Sequence, residues 1–395
     1  MGEIVRMDHA VSQPWARIIL LYGLGVFGML VVSIAVPALG GIAAEFHPQS
    51  PALIGWVMSS PALAAALASL LIGAAVDRFG DRPIIVAGIV LAMVGDLGVI
   101  AAPDLLPLLG WRVVGGVGYV GMVLGAVTMM TRLTTGRQRV VALTLWSTVI
   151  PASFILSGVY GSLFAAHSGW RMAFGGHMAG LGVLGLLVPV MLPSSSGSGQ
   201  TRLAGIGAVL SARGPYLLGA CFAAAAFLQT GFVATLPVWL SARLGLGEAV
   251  VHAFSLPAMA ANVVGATLFG MAYNRGVAPA LLGVVAVCLA LACGAGLILL
   301  PTGMLGALAL DCGLMLGLGM LVGMWALLPM VCPTPALMGA TSGMITQITL
   351  LGVLLGPPLA FASLHGAGLG VFLGAGCAVS LLGWPVWRKG AAAAR

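Results

Sequence analysis

Charged side chains are scarce in this chain: 16 basic and 9 acidic residues make up only 6% of its 395 positions. A soluble domain carries roughly 25%, and a water-facing surface needs about a quarter to a third of its positions charged. The shortage excludes a soluble enzyme, a nucleic-acid-binding module and a disordered chain. The formal charge of +7 does not reverse this, because the basic residues stand singly between apolar runs and form no stripe. The six cysteines (Cys221, Cys288, Cys293, Cys312, Cys332 and Cys377) include no Cys-x-x-Cys pair, so neither a zinc site nor a disulfide framework is indicated. The 20 methionines repeat at no spacing that would suggest a metal path. No phosphate-cradling loop, no clustered nucleophile and no long polar loop is present, which disfavours a membrane enzyme or sensor, an ATP-driven device and any resident cofactor.

What is there in abundance is apolar sequence. Hydrophobic residues make up 61% of the chain and form unbroken runs. A helix needs roughly 20 apolar residues to cross a bilayer, whereas a membrane barrel shows short alternating segments. The runs predict an all-α, polytopic membrane protein with twelve transmembrane helices, at about 16–43, 51–76, 83–102, 105–130, 140–166, 171–192, 214–240, 250–272, 278–300, 304–330, 335–361 and 368–387. The first run is longer than a signal-peptide core and reads as a retained helix. A Ser/Gly-rich stretch at 193–200 stands at the midpoint. It divides the chain into a six-helix bundle at 1–192, a linker at 193–213 and a second bundle at 214–395. With twelve spans, thirteen basic residues fall on the side of both ends and only Arg171 and Arg243 on the other. That bias places both termini in the cytoplasm and the chain in an inner membrane, bathed in a lipid bilayer.

The two halves echo each other. Pro37 matches Pro237, Pro61-Ala62 matches Pro257-Ala258, and the run from Gly73 to Arg78 matches that from Gly270 to Arg275. The offsets of 200, 196 and 197 suggest a duplicated six-helix unit with a site at its interface.

The turn after the second span reads Gly73-Ala-Ala-Val-Asp77-Arg78-Phe79-Gly80-Asp81-Arg82. It resembles the signature G-x-x-x-D-R-x-G-R-R of the major facilitator superfamily, with Asp81 where the signature has a basic residue. Further resemblance lies in Arg112-Val-Val-Gly115-Gly116-Val-Gly118, in Gly169-Trp170-Arg171-Met-Ala-Phe174 and in Gly352-Val-Leu-Leu-Gly356-Pro357. The drug-antiporter signature G-P-x-x-G-G aligns with Ser157-Gly158-Val-Tyr-Gly161-Ser162, without its proline. The resemblance implies two pseudo-symmetric six-helix bundles, alternating access, and a cavity lined by the first, fourth, seventh and tenth helices. In that frame Gly73, Asp77, Arg78, Gly80 and Arg82 form a cytoplasmic gate, with Asp77 facing the positive end of a helix dipole in the other half.

Three charges lie deep in spans: Asp96, Arg112 and Asp311. Such residues are costly in lipid and mark substrate or ion pathways. Asp96 and Arg112 fall at one depth on adjacent helices, so they are expected to pair. Asp311 stands 199 residues after Arg112, as its near repeat-mate. Asp96, Arg112 and Asp311 are therefore the candidate proton-coupling residues. Arg112, Tyr119, Gln229, Trp325 and Gln347 are candidate substrate contacts, Tyr119 sharing a face with Arg112 and Trp325 with Asp311 by helical spacing. His177 reads as a bonded core residue, and prolines 37, 151, 237, 257 and 357 as kinks. The expected partners are a small-molecule substrate, protons and lipid, with no nucleic acid, and the chain is read as a monomer. The function read from these features is proton-coupled efflux of a small organic solute. The alternative is transport of a small organic anion or metabolite on Arg112.

Overall fold

The computed structural model describes residues 15–47, 51–160, 163, 169–194, 203–245, 248–364 and 367–393. Gly161 and Ser162 of the antiporter-like segment, residues 195–202 of the linker and both chain ends lie outside them. Among the described residues, eleven helices are long and apolar enough to cross a membrane. They are span 1 (Trp15–Ala38), span 2 (Trp56–Phe79), span 3 (Asp81–Ala101), span 4 (Leu105–Leu133), span 6 (Trp170–Met191), span 7 (Arg213–Val233), span 8 (Leu256–Asn274), span 9 (Pro279–Leu299), span 10 (Met304–Val331), span 11 (Pro335–Ala360) and span 12 (Gly368–Lys389). Span 5 is the bent pair Gly136–Trp146 and Val149–Tyr160, turned by 43°. The sequence reads this span as continuous from 140 to 166. The break falls at Ser147 and Thr148, whose hydroxyls bond back to the carbonyls of Thr144 and Leu145. Pro151 cannot donate to the Ser147 carbonyl, so the helical ladder is interrupted there.

Proline punctuates other spans in the same manner. Span 1 ends its α-helix at Ser33, passes through a 3₁₀ turn at Val36–Ala38 and resumes as Leu39–Phe46. Span 10 tightens into 3₁₀ at Gly323–Leu327 ahead of Pro329, with the Leu328 N–H bonding three residues back to the Trp325 carbonyl.

Spans 4 and 10 are central: 83% of the apolar window of each is buried, against 22% for span 6 on the periphery. The duplication is visible in backbone contacts. A Cβ placed on Gly118 of span 4 would lie 2.5 Å from the Ala92 nitrogen of span 3. One on Gly317 of span 10 would lie 2.8 Å from the Ala290 nitrogen of span 9. The paired positions are 199 and 198 residues apart. Each half thus packs its third and fourth helices backbone to backbone through glycine at the same site.

Replacing Gly118 or Gly317 by Val forces these helices apart. Each variant is expected to lose roughly 1–3 kcal/mol through overpacking, read as a lower melting temperature in detergent. Gly110→Val, where a Cβ would meet nothing within 4 Å, serves as the neutral control.

Candidate functional site: a clasp between halves and a row of buried charges

At one end of the bundle, spans 2 and 11 meet across the two halves. A Cβ on Gly343 would lie 2.5 Å from the Ser69 carbonyl oxygen, and one on Gly339 2.6 Å from that of Gly73. Backbones this close place Asp77 against the start of the helix Met338–Ala362. The N–H of Gly339 donates to Asp77 Oδ1 at 3.0 Å, and that of Ala340 to Oδ2 at 2.8 Å. The first N–H groups of a helix have no partner within it, so Asp77 acts as an N-cap supplied from the other half. It also meets the positive end of the helix dipole. The carboxylate is 1% exposed.

A third donor joins from span 4. Arg132 bonds Asp77 through Nη2 at 2.5 Å and Asp81 through Nη1 at 2.7 Å. Asp81 thus has a part in the clasp: the residue that departs from the family signature shares the guanidinium with Asp77. Charge-assisted bonds of this kind are about twice as strong as neutral ones. Gly80 makes the turn between spans 2 and 3 at φ 94°, which a side chain would disfavour. Arg78 and Arg82 lie apart from the Asp77 carboxylate. Arg78 lies over the Phe79 ring at 5.1 Å, and Arg82 donates to the Pro189 carbonyl at 3.2 Å. The cation of the clasp is Arg132, which sequence reading missed because it stands 55 residues from Asp77 and lacks any motif of its own.

Deep in the first half, the expected Asp96–Arg112 pair does not form. Asp96 bonds His177 of span 6, Oδ2 to Nδ1, at 2.7 Å. The other ring nitrogen of His177 lies 2.9 Å from the Phe27 carbonyl of span 1. Equal depth sets the height of two residues but not their facing, and Asp96 faces span 6. Arg112, 1% exposed, instead donates from Nε to the Val57 carbonyl at 2.9 Å and from Nη2 to that of Val32 at 3.4 Å. Both acceptors have a local cause. Pro61 has no N–H to offer Val57, four residues earlier, and the helix of span 1 ends just after Val32. Ser33 follows the same logic: Pro37 leaves its carbonyl free, and Ser157 Oγ fills it at 2.6 Å. Ser157, from the antiporter-like segment, therefore fastens span 5 to span 1. The Arg112 guanidinium also lies over the Phe174 ring at 5.5 Å. Among the described residues no carboxylate lies within 4.0 Å of it.

In the second half, Asp311 is 4% exposed, and its Oδ1 meets no hydrogen-bond donor among the described residues. The other sequence candidates scatter. Tyr119 is buried and packs beside Gly28 of span 1. Gln229 is buried with its amide on the Met259 sulfur of span 8 at 3.8 Å. Gln347 is half-buried, one turn beyond Gly343 on the face turned to the other half. Trp325 stacks on Phe222 at 4.9 Å. It stands fourteen residues from Asp311, roughly 20 Å along a helix, and the intervening 3₁₀ turn breaks the register behind their expected shared face.

The opposite end carries its own polar lock. Arg171 and the Trp170 indole N–H both donate to Glu45, at 2.5 and 2.8 Å. These two donors hold the Glu45 carboxyl below the usual carboxylate range, the Arg171 bond foremost. Arg171 also caps the carbonyls of Ile100 and Ala102 at the end of span 3. Arg243 of the second half does the same for Leu297, Ile298 and Leu300 at the end of span 9. The capped ends correspond by repeat, but the capping arginines come from different helices.

The Major Facilitator Superfamily sequence profile matches residues 21–357. The chain belongs to this superfamily. It is similar to an MFS-type transporter of Mycobacterium tuberculosis, 29% identical over 167 residues covering 42% of this chain and 29% of the relative. The efflux pump notK of an Aspergillus species is 26% identical over 166 residues, covering 40% and 29%. These matches span under a third of each curated relative's length. Among solved structures, the MFS transporter FucP in its outward conformation superposes with a TM-score of 0.76 at 14% identity, covering 94% of this chain and 98% of that one. The fold is that of the superfamily, with the helices of a multi-pass membrane protein.

The lowered Glu45 carboxyl fixes the sign of one pH effect. Stability from the Glu45–Arg171 contact is present above the unfolded carboxylate range and is lost as pH falls through the lower, folded-state value. Glu45→Gln is therefore expected to melt below the parent at neutral pH, with the difference vanishing in acid. Melting curves from pH 7 down to pH 3 check this.

Proposed function

We propose that the chain is a secondary active transporter that exports a small organic solute across the inner membrane in exchange for protons. The halves 1–192 and 214–395 would rock about the linker 193–213. The observation that carries this reading is the clasp. A carboxylate of one half caps a helix of the other, and the bond can be broken and remade because water can take over both partners when the helices separate. The excess of basic residues at this end supports its assignment to the cytoplasm. In this conformation the cytoplasmic side is then shut, and Gly73, Asp77, Gly80, Asp81 and Arg132 hold it. Arg78 and Arg82 belong to the same end as topological charges.

Proton coupling is assigned to Asp311. An ionised carboxylate buried without a donor is costly, so taking up a proton relieves the site. Its repeat-mate Arg112 donates to the carbonyl that Pro61 leaves free. In span 8, Pro257 leaves the carbonyl of Ala253 in the same condition, and a protonated Asp311 has a hydrogen to give. Arg112 and the protonated Asp311 would thereby be hydrogen-bond donors at matching places in the two halves. Gln347, half-buried one turn beyond Gly343, is the substrate contact best supported; Tyr119, Gln229 and Trp325 are buried against Gly28, Met259 and Phe222 and serve as packing.

One observation favours a second reading, transport of a small organic anion. Arg112 has no carboxylate within 4.0 Å among the described residues, and a guanidinium suits carboxylate or phosphate.

Counterflow in proteoliposomes, run with cationic dyes and with organic anions, separates the two. Saturable dye exchange supports export by antiport, and saturable anion exchange supports the second reading. Exchange of neither overturns both. For the coupling role, Asp311→Asn is expected to abolish the pH dependence of uphill transport and lower its rate at least about tenfold, one step of 1.4 kcal/mol. An unchanged pH profile removes Asp311 from coupling. Asp77→Asn leaves the Arg132 charge uncompensated and weakens the clasp; it is expected to increase labelling of a cysteine introduced at Gln347 from the cytoplasmic side.

A further inference from the structure

The Asp96–His177 contact lies outside the mechanism described so far, and its geometry sets a proton count. The Phe27 carbonyl can only accept a hydrogen bond, so Nε2 of His177, 2.9 Å away, must carry a hydrogen. Nδ1 lies 2.7 Å from Asp96 Oδ2. A bare nitrogen lone pair cannot face an ionised carboxylate at that distance. Either Nδ1 also carries a hydrogen, giving an imidazolium beside a carboxylate, or Asp96 is the acid and donates to Nδ1. Both arrangements hold one proton more than a neutral imidazole and an ionised aspartate hold together. Both side chains are withdrawn from bulk solvent: His177 is 0% and Asp96 3% exposed.

The surroundings are built to keep this contact. The Phe27 ring stacks on the imidazole at 5.9 Å, with planes 16° apart. Gly180, one turn along span 6, leaves room for that ring, since a Cβ there would come within 2.9 Å of Phe27 Cζ. The charged and titratable groups that face the pair from neighbouring helices are few. Span 4 brings Arg112, on which the Asp96 charge acts. Span 5 brings Tyr160, whose hydroxyl bonds the Gly176 carbonyl at 3.5 Å. Span 1 brings no charged side chain between Tyr22 and Ala38. When the pair is loaded it is neutral and Arg112 is the lone charge of this core. When the pair gives up its proton it becomes an anion beside the Arg112 cation. The Arg112 cation thus stabilises the anionic pair and eases release of the proton.

We propose that Asp96 and His177 form a proton-binding site of the first half, loaded with one exchangeable proton in this conformation. It lies in the opposite half from Asp311, so the transporter would carry two protonation sites, one per repeat. The step is a simple proton transfer: the N–H or O–H bond of the pair breaks, the proton leaves to water, and the pair gains one negative charge.

The test is the protonation state of the pair in the full chain, in lipid nanodiscs, labelled with ¹⁵N-histidine and titrated from pH 6 to pH 10. His177→Gln assigns the resonance, and Asp96→Asn, which keeps the shape of the contact, does so if the former fails to fold. At pH 8 a solvated histidine is neutral, as its ordinary value is about 6.5. The expected result at pH 8 is an imidazolium signal from His177, or a protonated-acid infrared band that Asp96→Asn removes. Either should disappear as one proton is released on further alkalinisation. A neutral His177 beside an ionised Asp96 at pH 7 overturns the proposal. A loaded pair that never releases its proton up to pH 10 overturns it too, leaving a static brace. No transport is measured, so the outcome is independent of the coupling assigned to Asp311.

Discussion

A charge withdrawn from water must be bonded or neutralised, and in a chain with so few charges each solution is visible. Asp77 takes two backbone N–H groups and a guanidinium. Asp96 takes an imidazole. Arg112 takes carbonyls that a proline and a helix end have left open. Arg171 and Arg243 take the last carbonyls of spans 3 and 9. Asp311 is the exception: its buried Oδ1 meets no donor among the described residues. Neutral groups such as Ser60, Thr128 and Asn262 also carry a buried atom without a partner among those residues, but for a carboxylate the cost of ionisation is far higher, which is why Asp311 is the residue proposed for coupling.

The same constraint explains the prolines. Within a lipid-facing helix a missing N–H cannot be replaced by water, so each freed carbonyl needs a donor from another helix. Pro61 and Pro37 create acceptors that Arg112 and Ser157 fill, and these bonds tie spans 4 and 5 to spans 2 and 1. Kinks and cross-helix bonds are thus one feature. Glycine supplies the rest of the cohesion. Gly118 and Gly317 bring the third and fourth helices of each repeat into backbone contact, while Gly73, Gly339 and Gly343 do this between halves. The first kind of contact lies within a bundle; the second lies between the two, and there the accompanying bond, at Asp77, is polar and could be given to water.

Much of this was legible beforehand. The apolar runs, the even number of spans and the duplication all survive in the structure, as does the expectation that Asp77 meets a helix dipole of the other half. The reading failed where it needed angle rather than height. Asp96 and Arg112 do lie on neighbouring helices, yet they turn to different partners. Trp325 and Asp311 share a heptad-like spacing, yet a 3₁₀ turn before Pro329 breaks the count. Asp81 looked like a departure from a motif and proved to be the second acceptor of Arg132. His177 was recognised as bonded, but its partner was not.

From the residue order alone came the solvent of this protein, the number of crossings and the repeated unit. All three follow from hydrophobic length and periodicity, which are properties of a chain read one segment at a time. Which charges meet was decided only by the packed bundle. A helix in lipid can rotate about its axis at little cost until small residues and proline-freed carbonyls lock it against its neighbours, and that locking joins residues 51 to 263 positions apart.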